Sequence, residues 1–246
     1  MSSKAAKSAK AKARADRAAE LLADQEHQRK LANLRRAAVV GGLLAVVIVA
    51  TIVITALNRT DITPSAVGSS EYGVVVGDAD APAEVVIYED FLCPACGAFE
   101  AAAGEQLAAA AASGRVVVDY RPISILQRFG PYSAESLNAF LVVKDAAGDD
   151  VAKAFHDLLF ADQPSEEGPF PDADDLVATA VEAGAEEAAV RPGIESGARM
   201  DDVEAATEEA TGAGVSGTPT VLLDGVLFED GDSAEDRAIN LLDAFS

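Results

Sequence analysis

The chain has 246 residues, half of them apolar, and carries 41 acidic against 19 basic side chains, a formal charge of −22. Such a balance excludes a nucleic-acid binder, which needs a basic footprint, and a domain lying flat on anionic lipid, which like charge repels. With only two cysteines in the whole chain a multi-disulfide scaffold cannot be assembled, and the two histidines, His27 and His156, lie far apart in the sequence, so no second Cys or His pair completes a tetrahedral zinc site.

The charge is unevenly placed. Residues 1–36 hold ten Lys/Arg against four Asp/Glu, whereas residues 60–246 hold eight against 37. Between them Ala37 to Leu57 is a run of 21 residues without a charge, rich in Val, Ile, Leu and Ala. At 1.5 Å per residue that run spans about 30 Å, the thickness of a hydrocarbon core. Arg35 and Arg36 abut its start, which orients the N-terminus to the cytoplasm. A cleaved signal peptide is the alternative, but its apolar region is only about 7–15 residues. The expectation is therefore a basic cytoplasmic tail (1–36), an uncleaved transmembrane signal anchor (37–57), a polar linker (58–72) and one extracytoplasmic domain (73–246). The cell membrane, single-pass, is the expected location. Cysteines outside the cytoplasm can persist as a disulfide.

Within the domain, Val74–Val76 reads as a short strand and Glu84–Glu89 as a second. Phe91-Leu92-Cys93-Pro94-Ala95-Cys96 then leads into a segment of good helix formers, Phe99 to Ala112. A Cys-x-x-Cys at a strand-to-helix junction places the first sulfur at the helix N-terminus and the second about one turn inside. There the unpaired N–H groups and the helix dipole favour a thiolate. Pro94 fits the first helical position, where no N–H is needed. Arg115 to Arg121 is a β-branched run ending at Pro122. Strand, helix and strand within about 38 residues make a right-handed βαβ unit with parallel strands.

From residue 123 to 216 the pattern is helical. Helices are expected at Ser133 to Ala147, at Val151 to Phe160 (apolar Val151, Phe155, Leu158, Leu159), from a capped start at Asp172/Asp175 to Ala183, and at about Gly197 to Thr211. The loop Gln163 to Pro171 separates the second from the third. Gly217-Thr218-Pro219-Thr220 then opens two short strands joined at Asp224-Gly225, a hairpin signal. Ser233 with Asp236 caps a closing helix, Ala234 to Phe245.

The order strand, strand, Cys-x-x-Cys helix, strand, helical insertion, Gly-Thr-Pro-Thr, hairpin, helix resembles the DsbA-like branch of the thioredoxin superfamily, in its membrane-anchored Gram-positive form. The resemblance covers Tyr72 to Phe245 and rests on Asp90 to Cys96 together with Gly217 to Thr220. It implies an α/β thioredoxin-like fold with a helical insertion between βαβ and ββα halves. The implied activity is thiol:disulfide exchange with Cys93, Cys96 and Pro219 as catalytic residues, and Thr218, Pro94 and Ala95 against the substrate. Pro219 would be cis and face the cysteines, so that a peptide can pair with Thr218 as an added strand. No cofactor and no metal is implied. The implied partners are exported unfolded proteins with free thiols and a quinone-linked membrane re-oxidase, similar to DsbB or to a vitamin K epoxide reductase. A monomer is expected, because the linker leaves no room for a dimerisation domain.

Two departures from the family pattern stand out. Ala95 replaces a His before the second cysteine, and Ile87 occupies the position of a buried acid six residues before the first. Asp90 and Glu89 are expected to be solvated, with proton transfer as the alternative. His156 is expected to be half-exposed on its helix, and Met200 and Phe170 to serve core or loop packing; an apolar patch near Leu92, Phe129 or Phe170 is the candidate surface for unfolded substrates. Three readings follow: an oxidase, a reductase or isomerase of the same fold (for which Thr218 before Pro219 speaks), and a binding module with the cysteines as a fixed staple. The last is the poorest, since a four-residue loop constrains the unfolded chain little.

Overall fold

A computed structural model describes residues 62–245; the basic tail, the apolar run and the first part of the linker lie outside the described residues. Among the described residues no helix is long and apolar enough to cross a membrane.

Five strands form one sheet: β1 (Val74–Val76), β2 (Glu84–Glu89), β3 (Val117–Pro122), β4 (Thr220–Leu223) and β5 (Val226–Leu227), in the order β1-β3-β2-β4-β5. β2 and β3 are parallel, as the βαβ spacing predicts, and pair from Glu84↔Val117 to Glu89↔Pro122. The other pairs are antiparallel. Asp224 (φ 51°) and Gly225 (φ 75°) form the expected hairpin turn, whose two positive φ values match the twist of the strands. Strand alternation sorts the core. Val85, Ile87, Val118, Tyr120 and Val221 join the main cluster beneath helix α1 (Pro94–Ala112). Val86, Tyr88, Ile123 and Leu222 form a smaller cluster on the other face with Ala210 and Val215.

The closing helix α7 (Ala234–Ala244) packs against α1, its N-terminus capped by Ser233 Oγ accepting from Asp236 N at 3.0 Å. Between β3 and β4 lies the helical insertion: α2 (Tyr132–Ala147), α3 (Asp149–Ala161), α4 (Ala173–Glu182), α5 (Glu187–Ser196) and α6 (Met200–Gly212). α4 starts in the expected capping box: Asp172 accepts from Asp175 N at 3.1 Å, and Asp175 accepts from Asp172 N at 3.1 Å.

α5 is absent from the sequence reading, because Arg191-Pro192-Gly193 looks like a break. The helix runs through it, with Pro192 inside, because Val190 and Ile194 are buried and a Cβ at Gly193 would lie 2.9 Å from Val142 Cγ1 on α2. Close helix packing outweighs the lost N–H. On α3 the expected Phe155 and Leu159 are buried and Val151 packs half-buried against the core, but Ala152, His156 and Phe160 complete the buried stripe and Leu158 is only half-buried.

The linker is not a free tether from residue 62 onward. Arg121, only 2 % exposed, reaches from β3 to donate to Ser65 Oγ, Ser65 O, Ala66 O and Tyr88 OH. Its partner Asp119 accepts from Arg121 and from Gly68 N. Ile62 and Val67 pack on the smaller cluster, so this buried ion pair straps residues 62–68 over the sheet face opposite α1.

Candidate active site

β2 ends at Glu89, and the chain turns through Asp90, Phe91 and Leu92 into Cys93, the N-cap of α1. Cys93 has extended backbone (φ −76°, ψ 115°), and Pro94 follows in the first turn. The amides of Cys96 and Gly97 donate to Cys93 O at 3.0 and 3.1 Å, closing the first turn. Both expectations for the helix start are met. Pro94 is exposed and Ala95 half-buried at the rim, Cys93 is 7 % exposed, and Cys96 is sealed beneath at 0 %. No disulfide joins the two sulfurs, so the geometry is that of the dithiol.

The peptide bond Thr218–Pro219 is cis, and the Cys93 thiol donates to Thr218 O at 3.3 Å across 125 residues of sequence. Pro219 is buried and Thr218 half-buried beside the Cys93 sulfur. The structure thus brings together all six residues named from the sequence: Cys93, Cys96, Pro94, Ala95, Thr218 and Pro219.

Cys93 is lowered to a pKa of about 6 chiefly by the hydrogen bond from Cys96, against the opposing effect of burial, with the Thr218 side chain and the Cys96 and Ala95 backbone amides adding to the lowering. Cys96 is pushed well above the usual thiol range by burial, by its hydrogen bond to Cys93 and by the charge of Glu89. One thiol is therefore ionised at neutral pH and the other holds its proton. That asymmetry defines an attacking or leaving sulfur at Cys93, just beneath the rim, and a more deeply buried resolving one at Cys96.

The acids before the cysteines are not solvated. Asp90 is fully buried; its Oδ1 accepts from Leu92 N (2.9 Å), and its Oδ2 accepts from Ile125 N (2.9 Å), Leu126 N (3.0 Å) and Ser133 Oγ (2.7 Å). It ties the cysteine turn to the start of the insertion, and burial raises its pKa despite those donors. Glu89 is also fully buried, because it continues the inward alternation of Val85 and Ile87; its Oε2 lies 3.0 Å from His156 Nε2. His156 is likewise 0 % exposed, where a half-exposed residue was expected. It sits among Phe91, Tyr120 and Phe160 with ring centroids 5.6, 5.0 and 4.9 Å away.

Of the expected apolar patch, Leu92 is fully buried and only Phe129 (39 % exposed) and half-buried Phe170 reach the surface. Phe170 stacks on Tyr132 at 6.2 Å, and Arg128 lies over the Phe129 ring.

Three residues of the site went unread in the sequence. Gln163, from the loop after α3, donates to Phe91 O at 3.0 Å and to Cys93 O at 2.9 Å. Gly97 makes room for it, since a Cβ there would lie 2.4 Å from Gln163 Oε1. Glu100 lies on α1 in phase with Cys96, Ala103 and Leu107 and is buried with them. That phase was the available signal. Glu100, His156 and Asp157 are the group of ligand atoms, among the described residues, close enough to surround a cation. The Lys153 ammonium already sits against Asp157 Oδ1 and supplies positive charge there.

A family profile described as thioredoxin matches residues 69–243. No curated protein matches the chain significantly. Among solved structures, the chain is similar to the reduced form of the disulfide bond oxidoreductase DsbG from Mycobacterium tuberculosis at 31% identity (TM-score 0.60, 70% of this chain and 86% of that one). It is as similar to oxidised DsbA from the same organism, at 31% identity (TM-score 0.59, 70% and 92%). The MdbA thiol-disulfide oxidoreductase of Corynebacterium diphtheriae shares the fold at 22% identity (TM-score 0.61, 77% and 95%). The chain belongs to the thioredoxin family, among its DsbA-type members. It is a protein thiol:disulfide oxidoreductase.

Proposed function

We propose that this protein is an extracytoplasmic oxidase that introduces disulfides into exported, unfolded proteins. The carrying observation is the asymmetry of the two sulfurs: the Cys93 thiol is lowered to about 6 while Cys96 stays protonated. A stabilised thiolate stabilises the reduced enzyme, and a dithiol whose reduced form is stable is a strong oxidant. In the cycle, a substrate thiolate attacks Cys93 Sγ of the Cys93–Cys96 disulfide, and Cys96 leaves as the thiolate and takes up a proton. The substrate's second thiolate then attacks the mixed disulfide and expels Cys93, yielding an oxidised substrate and the reduced enzyme.

Thr218 and Pro219, beside Cys93, supply the edge on which an extended peptide pairs; Pro94 and Ala95 form the rest of the rim. Re-oxidation falls to a quinone-linked membrane protein of the DsbB or vitamin K epoxide reductase kind. The apolar run 37–57 anchors the catalytic domain beside it, with the N-terminus in the cytoplasm. The enzyme works as a monomer.

The test is a redox titration of Cys93–Cys96 together with oxidation of a reduced, unfolded substrate. A potential toward that of DsbA (about −120 mV) with substrate oxidation supports the oxidase; one near that of thioredoxin (about −270 mV) would make it a reductase. Cys96→Ser should trap exported substrates as mixed disulfides on Cys93, and failure to trap any would count against the substrate class.

A further inference from the structure

Residues 60–246 carry eight Lys/Arg. Arg121, Lys144, Lys153, Arg191 and Arg199 are ion-paired, and Arg115 and Arg237 donate to Ser113 Oγ and Ser233 O. Arg128 alone has no oxygen partner among the described residues; it lies instead against an aromatic ring, with Cζ 4.4 Å from the Phe129 centroid. That contact holds the guanidinium by its face and leaves the N–H donors along its edge free. Arg128 and Phe129 are both exposed. In a domain with 37 Asp/Glu, an arginine that no carboxylate takes up is a local reversal of charge.

Contacts on both sides of Cys93 fix where that reversal stands. β2 pairs with β3 through Glu89↔Pro122 and with β4 through Tyr88↔Thr220. The cysteine turn that follows β2 therefore has Thr218–Pro219 on one flank and residues 123–130 on the other. On the second flank Asp90 joins the two segments: Oδ1 accepts from Leu92 N, beside Cys93, and Oδ2 accepts from Leu126 N, two residues before Arg128. The loop after α3 closes the circle. Gln163 donates to Cys93 O at its start, and near its end Phe170 covers Gly130, where a Cβ would lie 2.2 Å from Phe170 Cε2. Arg128 and Phe129, with half-buried Phe170, thus stand on the rim across the cysteine turn from the cis-proline edge.

We propose that Arg128 and Phe129 form a subsite for an Asp or Glu side chain in the polypeptide flanking a substrate cysteine, so that the protein favours acidic unfolded substrates. The proposal deepens the oxidase reading and rests on it. A chain paired along Thr218, with its sulfur at Cys93, passes its flanking residues over this rim. A carboxylate there meets the guanidinium edge in the two-point geometry that arginine offers, and apolar neighbours meet Phe129 and Phe170. The rest of the domain works against such chains, because 37 Asp/Glu against eight Lys/Arg repel acidic polypeptides at long range. At about 0.15 M salt that field is screened beyond about 8 Å, whereas a pair in contact persists. Arg128 therefore offsets, at contact range and beside the reacting sulfur, a repulsion that the whole surface imposes.

The experiment uses the full chain, oxidised, and two reduced peptides, each with two cysteines. The peptides differ only in carrying Glu or Gln at positions three and four residues from each cysteine. Single-turnover oxidation is followed at about 0.15 M salt, and rates are compared per ionised peptide thiol. The unaltered protein should oxidise the Glu peptide about threefold faster than the Gln peptide, the factor that an exposed ion pair supports. Arg128→Glu should reverse that order, and Arg128→Lys, which keeps the charge but loses the planar fork, should retain only part of the preference. A Glu peptide no faster than the Gln peptide in the unaltered protein, or a ratio unchanged in Arg128→Glu, would overturn the subsite. Slower re-oxidation of Arg128→Glu in cells with an unchanged peptide ratio would assign the arginine to the re-oxidising partner and overturn it too. Failure of the unaltered protein to oxidise either peptide would instead overturn the oxidase reading on which the subsite rests.

Discussion

Removing the hydrogen bond that Cys96 gives Cys93 offers the sharpest test of the site's electrostatics. That bond is the largest of the effects lowering Cys93 to about 6, so Cys96→Ala should move the Cys93 midpoint back toward the ordinary thiol range, whereas Cys96→Ser, which retains a donor, should move it less. In the unaltered protein the folded thiol ionises well below an unfolded thiol, near about 8.5. The stabilisation of the reduced form is therefore fully present above the unfolded value and is lost as pH falls through about 6. At pH 7 a folded value of about 6 corresponds to roughly 1.4 kcal/mol. Because the sulfur sits at a helix end near solvent, screening reduces this to about 1 kcal/mol, and almost nothing remains at pH 5. The assay is thiolate absorbance and alkylation rate against pH, combined with guanidinium unfolding of the reduced and oxidised forms at pH 5 and pH 7. An unchanged midpoint in Cys96→Ala, or a wild-type midpoint above about pH 8, would refute the reasoning.

Asp90→Ala should cost about 3 kcal/mol or more, since it strands the amides of Leu92, Ile125 and Leu126 in the core; urea unfolding measures it, and Asp90→Asn should cost less. Gly97→Ala should push Gln163 off Phe91 O and Cys93 O, costing about 1 kcal/mol and making Cys93 faster to alkylate. Arg121→Ala leaves the Asp119 charge buried and should cost about 3–5 kcal/mol while exposing residues 62–68 to protease; the double variant Asp119→Ala/Arg121→Ala should recover part of that loss.

The local chemistry of the site was legible from the residues themselves. Cys93 and Cys96 one helical turn apart, Pro94 in the first turn, and the Asp224-Gly225 hairpin all follow from backbone rules within a few residues. The same holds for the parallel pairing of β2 and β3, which a short crossover permits in one hand only. Periodicity also carried more than was read from it. Glu89 continues the inward alternation of Val85 and Ile87, Glu100 follows the stripe of Cys96 and Leu107, and His156 falls in step with Ala152 and Leu159. A charged letter at an apolar phase signals burial, yet hydrophilicity alone points to solvent.

What tertiary structure alone decided lies where one group's environment is supplied by distant chain. Thr218 O meets Cys93 Sγ, and Gln163 covers the cysteine turn, only because the insertion and β4 fold back on α1. Arg121 meets Ser65 and Ala66 only because residues 62–68 fold back over the sheet face opposite α1. Sequence determines which groups can ionise and where helices and strands begin. Burial and partners determine whether they do ionise, because desolvation and hydrogen bonding arise from atoms many residues away, whose positions no local pattern encodes.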